Sequence, residues 1–77
     1  MRILHVITGM RKAAGTSVFV GELAREQVAA GHSVDVVHQE TWRTDVYPLA
    51  EGVRLIAKED FIKSLSFREY DIMHIHG

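Results

Sequence analysis

Apolar residues in this chain come in short blocks separated by polar, glycine-containing segments. The first block, Ile3-Leu-His-Val-Ile7, is broken only by His5 and ends at Thr8-Gly9. Its length and β-branched content predict a strand buried on both faces, as in a parallel sheet. A turn from Gly9 to Gly15 follows, after which Thr16 or Ser17 is expected to cap a helix by accepting from exposed backbone N–H groups. Within that helix Val20, Leu23, Ala24, Gln27 and Val28 stand at i, i+3, i+4, i+7 and i+8, a stripe on which only Gln27 is polar. Glu22, Arg25 and Glu26 take the wet side, and Gly31 falls where a left-handed C-terminal cap belongs. Val34-Asp-Val-Val37 is the second strand, which completes a right-handed βαβ unit.

The stretch from Gln39 to Gly52 has no periodicity, holds the only proline, Pro48, and reads as a loop in which Trp42 has no assigned role. Val53-Arg-Leu-Ile56 predicts a short third strand. Asp60 is expected to cap a short helix that points Phe61, Ile62 and Leu65 inward. Asp71-Ile-Met-His-Ile-His-Gly77 reads as a fourth, buried strand. The alternation of strands and helices predicts an α/β fold of two or three layers. The expected architecture is a Rossmann-like partial domain: a mostly parallel four-stranded sheet in the order 3-2-1-4 with flanking helices.

That order makes the first and fourth strands neighbours at the point where the winding reverses, which is where open α/β sheets bind ligands. The turn from Gly9 to Gly15 and the end of the fourth strand, His76-Gly77, then line one crevice. A helix N-terminus there favours an anion, glycines admit a ligand close to the backbone, and Arg11 and Lys12 add positive charge. A glycine after a strand is equally ordinary turn chemistry, and Arg11 and Lys12 are equally ordinary solvated charges.

The five histidines divide by position. His74 and His76 share one face of their strand, because side chains alternate with period two. His74, one step deeper, reads as a packed ring with its nitrogens satisfied. His76, at the strand's carboxyl end, is the functional candidate, able to hydrogen-bond a hydroxyl or act as acid or base near neutral pH. His5 reads as structural, His32 as a cation complementing a helix C-terminus, and His38 is unassigned.

Composition narrows the classes. Seventy-seven residues allow one small domain, and a chain of that size buries only roughly 60 % of its unfolded surface. A hydrophobic content of 47 % with a net charge of −1 is that of a folded domain rather than a disordered one. Nine basic against ten acidic residues give no electrostatic case for nucleic acid or an anionic membrane. The chain has no cysteine, so disulfides and thiolate metal sites are excluded and a cytoplasmic location is expected. The apolar run at the N-terminus is too short for a signal-peptide core or a transmembrane segment.

Met1-Arg-Ile-Leu-His-Val-Ile-Thr-Gly9, Ala14-Gly15 opening a helix that contains Glu22-Leu-Ala24, Ala30-Gly-His-Ser-Val-Asp-Val-Val37, and Asp71-Ile-Met-His-Ile-His-Gly77 appear in that order. Together they resemble the N-terminal half-domain of family 4 (group 1) glycosyltransferases of the GT-B fold, over nearly the whole of residues 1–77. The resemblance implies a retaining transfer of a sugar from a nucleotide-diphosphate donor to an acceptor, a sugar or a lipid-linked one, held mainly by this domain. It places donor phosphate near Gly15 and Thr16, the transferred sugar and acceptor near His76, and acceptor-side contacts at Gly9, Arg11, Lys12 and Gly77. The family's glycine pair reads Ala14-Gly15 here, so only Gly15 carries over, and the acidic residue that often follows is replaced by Ser17. The family's second domain, with its nucleotide site and paired glutamates, has no counterpart in these residues. The chain is therefore expected to be the front of a larger protein and inactive by itself, with no cofactor and no metal.

Three other readings compete. His-x-His at a strand end also begins zinc sites of metal-dependent hydrolases, whose remaining ligands would have to come from His5, His38 or the acids. Glu40 stands near where a ribose-binding acid belongs in a nicotinamide-cofactor domain, but the G-x-G-x-x-G turn is absent. A non-catalytic module that self-associates, as a homodimer, through an unpaired edge and an uncovered face is the third.

Overall fold

The computed structural model describes residues 1–8, 15–39, 48–64 and 69–76, apart from the side chains of Thr16 and Ser64. The elements are β1 (Arg2–Ile7), α1 (Gly15–Ala29), β2 (Ser33–His38), β3 (Val53–Ala57), α2 (Lys58–Ser64) and β4 (Ile72–Ile75). The strands form one parallel sheet in the order β3-β2-β1-β4, the order the apolar blocks predict.

Register divides the core between the two faces of the sheet. Ile3 and Ile7 of β1, with Val34 and Val36 of β2, turn to α1, where Val20 and Ala24 are buried against them. Leu4 and Val37 turn the other way and pack against Phe61 of α2. The helices thus cover opposite faces, as a doubly wound sheet requires. Each fully buried Val, Leu or Ile contributes about 1.5–3 kcal/mol relative to exposure, so β1 and β2, buried on both faces, anchor the domain.

The α1 C-terminus is a Schellman cap. Gly31 has φ +95°, its N–H donates to the Val28 carbonyl at 2.9 Å, and the His32 N–H donates to the Gln27 carbonyl at 3.1 Å. His32 follows this cap directly. Its Nδ1 accepts from the amino terminus of Met1 at 3.2 Å.

A second glycine at φ +95°, Gly52, enters β3 from the turn closed by Val53 N–H donating to the Ala50 carbonyl. A Cβ added there would stand 2.9 Å from Val28 Cγ1. Gly52→Ala should therefore cost about 2 kcal/mol, from left-handed backbone strain plus displacement of Val28. Urea denaturation measures it; an unchanged midpoint would mean the turn relaxes freely.

Several expectations need correction. Helix α1 begins at Gly15, so Thr16 and Ser17 lie inside it rather than capping it, and Ser17 is fully buried. Helix α2 begins at Lys58, which puts Asp60 in its first turn instead of at the cap. Phe61 points inward but Ile62 is half exposed, because a helix this short lays only a narrow stripe on the sheet. Strand β4 is exposed along its length, with Ile75 at 70 %. It pairs with β1 alone, and among the described residues no strand lies beyond it. The turn residues Gly9, Arg11 and Lys12, together with Trp42, Leu65 and Gly77, lie outside the described residues.

Candidate functional site

The parallel pairing sets His5 of β1 opposite His74 of β4, and the His76 N–H just past β4 donates to the Val6 carbonyl at 2.9 Å. Side chains at alternate positions share a face, so His5, His74 and His76 converge on the α1 side of the sheet. One ring nitrogen of each lies within 4.8 Å of the others. His74 and His76 stack at 4.0 Å between centroids, tilted by 33°.

His5 organises the group. It is fully buried, and its Nε2 stands 2.8 Å from Gln27 Oε1 while its Nδ1 stands 3.0 Å from His76 Nε2. A carbonyl oxygen only accepts, so His5 Nε2 carries the proton and Nδ1 presents a lone pair. His76 Nε2–H must then donate to it, which leaves His76 Nδ1 as its free acceptor. The chain from Gln27 through His5 to His76 fixes the tautomers of both rings. Burial holds His5 below the ordinary histidine range, against the hydrogen bond it donates to Gln27, and the charge of His74 adds to the lowering. Burial also lowers His76, with His74 and His5 contributing. Both rings are therefore neutral near pH 7.

His74 is exposed rather than packed and satisfied, because the edge position of β4 leaves its ring uncovered. Beside His76 lies Phe19 of α1, 57 % exposed, its ring edge-on at 6.1 Å. The start of α1 opens toward the same end of the sheet. A Cβ placed on Gly15 meets nothing within 4 Å, so the backbone there is open to close approach.

Of the sequence-derived candidates, Gly15 and His76 lie at described positions near the carboxyl ends of β1 and β4. Thr16 is placed in α1, but its side chain lies outside the described atoms. Gln27 and Phe19 were not assigned to a site from sequence, and His5 entered one only as a ligand that the metal-hydrolase reading would require. The lone polar residue on the α1 stripe and the histidine interrupting a buried strand were the available signals, and they turn out to be each other's partners.

A separate groove of about 470 Å³ lies on the α2 face, lined by residues that include Arg2, Arg54, Phe61 and Tyr70. Arg2, Arg54, Glu69 and Tyr70 within it are engaged with one another or with Asp35. Arg54 grips Asp35 through two hydrogen bonds, at 3.2 Å and 2.9 Å, Tyr70 donates to the same carboxylate at 2.5 Å, and Arg2 pairs with Glu69 at 3.3 Å while lying over the Tyr70 ring. This network binds β1, β2 and β3 to the approach to β4 and reads as structural.

No family model matches the chain, and no curated protein or solved structure matches it either. Among the described residues no helix is long and apolar enough to cross a membrane.

Proposed function

We propose that the chain is the acceptor-side Rossmann-like half of a retaining glycosyltransferase of the GT-B kind, working on a nucleotide-diphosphate sugar donor and a sugar or lipid-linked acceptor in the cytoplasm. The observation that carries the reading is the juxtaposition of His76 with Phe19 of α1 at the switch point between β1 and β4. Ligands of open α/β sheets gather there, and the resemblance of the strand-ending motifs supplies the chemistry.

In this reading the donor diphosphate approaches the open backbone at Gly15, where the positive end of the α1 dipole favours negative charge. His76, neutral and held by His5, turns its free Nδ1 toward a substrate hydroxyl as an acceptor. Phe19 offers an apolar surface beside it for the carbon face of a sugar ring. In the transfer the bond from the anomeric carbon to the donor phosphate breaks and one to the acceptor oxygen forms, with the acceptor proton leaving toward the departing diphosphate. His76 orients the reacting groups; the nucleotide and the acid–base work at the leaving group belong to a second domain.

The test is His76→Ala in the protein that carries both domains. Turnover is expected to fall tenfold or more, as loss of a positioned orienting group does, while urea denaturation shows the fold retained. Unchanged turnover would leave His76 only its hydrogen bond to His5.

A further inference from the structure

We propose that His5, His74 and His76 form a binding site for a single divalent transition-metal cation of the zinc, nickel or copper type. This does not rest on the transferase reading and would stand without it.

Three imidazoles, from β1, β4 and the residue just past β4, converge, and among the described residues no carboxylate belongs to the cluster. That donor set suits Zn²⁺, Ni²⁺ or Cu²⁺ and disfavours Mg²⁺ and Ca²⁺, which take oxygen ligands. Tetrahedral zinc with Zn–N of about 2.05 Å sets its ligand nitrogens about 3.3 Å apart. His5 Nδ1 and His76 Nε2 already stand 3.0 Å apart, so a cation between them needs them to separate by only a few tenths of an ångström. The three ligand atoms all lie within 4.8 Å of one another. His74, exposed on an edge strand, has the rotational freedom to close the remaining distance.

The surroundings of His5 add a second observation. Histidines that hold metals donate their other ring N–H to an oxygen that fixes tautomer and orientation. His5 does this toward Gln27 Oε1 at 2.8 Å, which leaves Nδ1 as a lone-pair donor aimed at His76. The backbone of Gln27 is in turn pinned by the Schellman cap, where its carbonyl accepts from His32. Binding would require one rearrangement: the His76 proton moves by way of solvent from Nε2 to Nδ1, so the ring stays neutral and Nε2 is freed for the metal. Three protein ligands leave a fourth position open to water or to a substrate oxygen. His76, once ligated, would no longer present Nδ1 as an acceptor.

The experiment is isothermal titration of the chain with Zn²⁺ in a non-chelating buffer, with Co²⁺ as a spectroscopic probe. One Zn²⁺ per chain is expected, with visible absorption from Co²⁺ of the intensity that tetrahedral coordination gives and no competition from Mg²⁺. His76→Ala and His74→Ala should each weaken Zn²⁺ at least tenfold, and Gln27→Ala by roughly ten- to a hundredfold through its loss of grip on His5. His5 itself is left unchanged because its removal threatens the fold, and circular dichroism on each variant confirms that the others keep it. Absence of saturable binding would overturn the proposal, as would equal affinity in wild type and His76→Ala, which would indicate a cation held by scattered surface groups.

Discussion

Replacing His5 with alanine should destabilise the domain by about 3 kcal/mol, the mid-range of large-to-small changes at fully buried sites. The ring has no exposed surface and sits between β1's neighbours and α1, so its removal leaves a cavity that a sheet held on both sides cannot close. Two hydrogen bonds go with it, leaving Gln27 Oε1 and the His76 N–H without their partner. Both are half-buried, so water repays part of that loss and keeps the total from the upper end of the range. A chain of this length has roughly 4–12 kcal/mol of stability at 0.05–0.15 kcal/mol per residue, so the change consumes a quarter or more of it. Urea denaturation followed by far-UV circular dichroism measures the difference. A loss under about 1 kcal/mol would show that the site collapses readily and that the ring is held for its chemistry alone.

Acid should weaken the domain through Asp35, and Asp35→Asn should remove that sensitivity. Burial pushes the Asp35 carboxyl up, but the hydrogen bonds from Arg54 and Tyr70 and the charges of Arg54 and Arg2 outweigh it and hold it below the ordinary 3.8. A carboxyl whose folded value is depressed contributes stability that is fully present above its unfolded value and is lost as pH falls through the folded one. The contribution is therefore intact at pH 5 and above, begins to fade near 3.8 and is lost as pH falls further through the lowered folded value. At neutral pH, Asp35→Asn exchanges hydrogen bonds made by a charged acceptor for weaker ones and should cost about 1–2 kcal/mol. Arg54 is largely exposed and finds water, which limits the cost. Stability measured against pH from 3 to 7 should show wild type and variant converging at the acid end. Parallel curves would place the acid sensitivity elsewhere.

Much of this fold could be read from period and punctuation. The apolar blocks gave the strands, the βαβ order gave the parallel sheet, and Gly31 marked the end of α1 because a glycine there can take φ above zero. What could not be read were the relations between distant residues. Nothing local tells that Asp35, mid-strand, meets Arg54 of the next strand and Tyr70 ahead of β4. Gln27 looked like a flaw in an apolar stripe until His5 was found opposite it. The composition of β4 suggested burial, yet exposure is a property of what lies beside a strand, and β4 lies at an edge. His76 was legible as a candidate from its place at a strand end; His5 read as structural or as one of several candidate zinc ligands, since its partner is fixed only by register with a strand some seventy residues away.

The position of β4 gives the site a thermodynamic property of its own. The strand is joined to the sheet by a single ladder to β1, so its amides should exchange with solvent through local detachment, at a free energy below that of global unfolding. His74 belongs to that strand and His76 follows it directly, while His5 belongs to the fixed part of the sheet. Any molecule that grips both sides must recruit the attached form, and by linkage it slows exchange along Ile72–Ile75 in proportion to its saturation. Occupancy at the histidines and attachment of the last strand are thus one equilibrium seen from two ends, and the protection of those amides is a gauge of ligand that needs no catalytic assay.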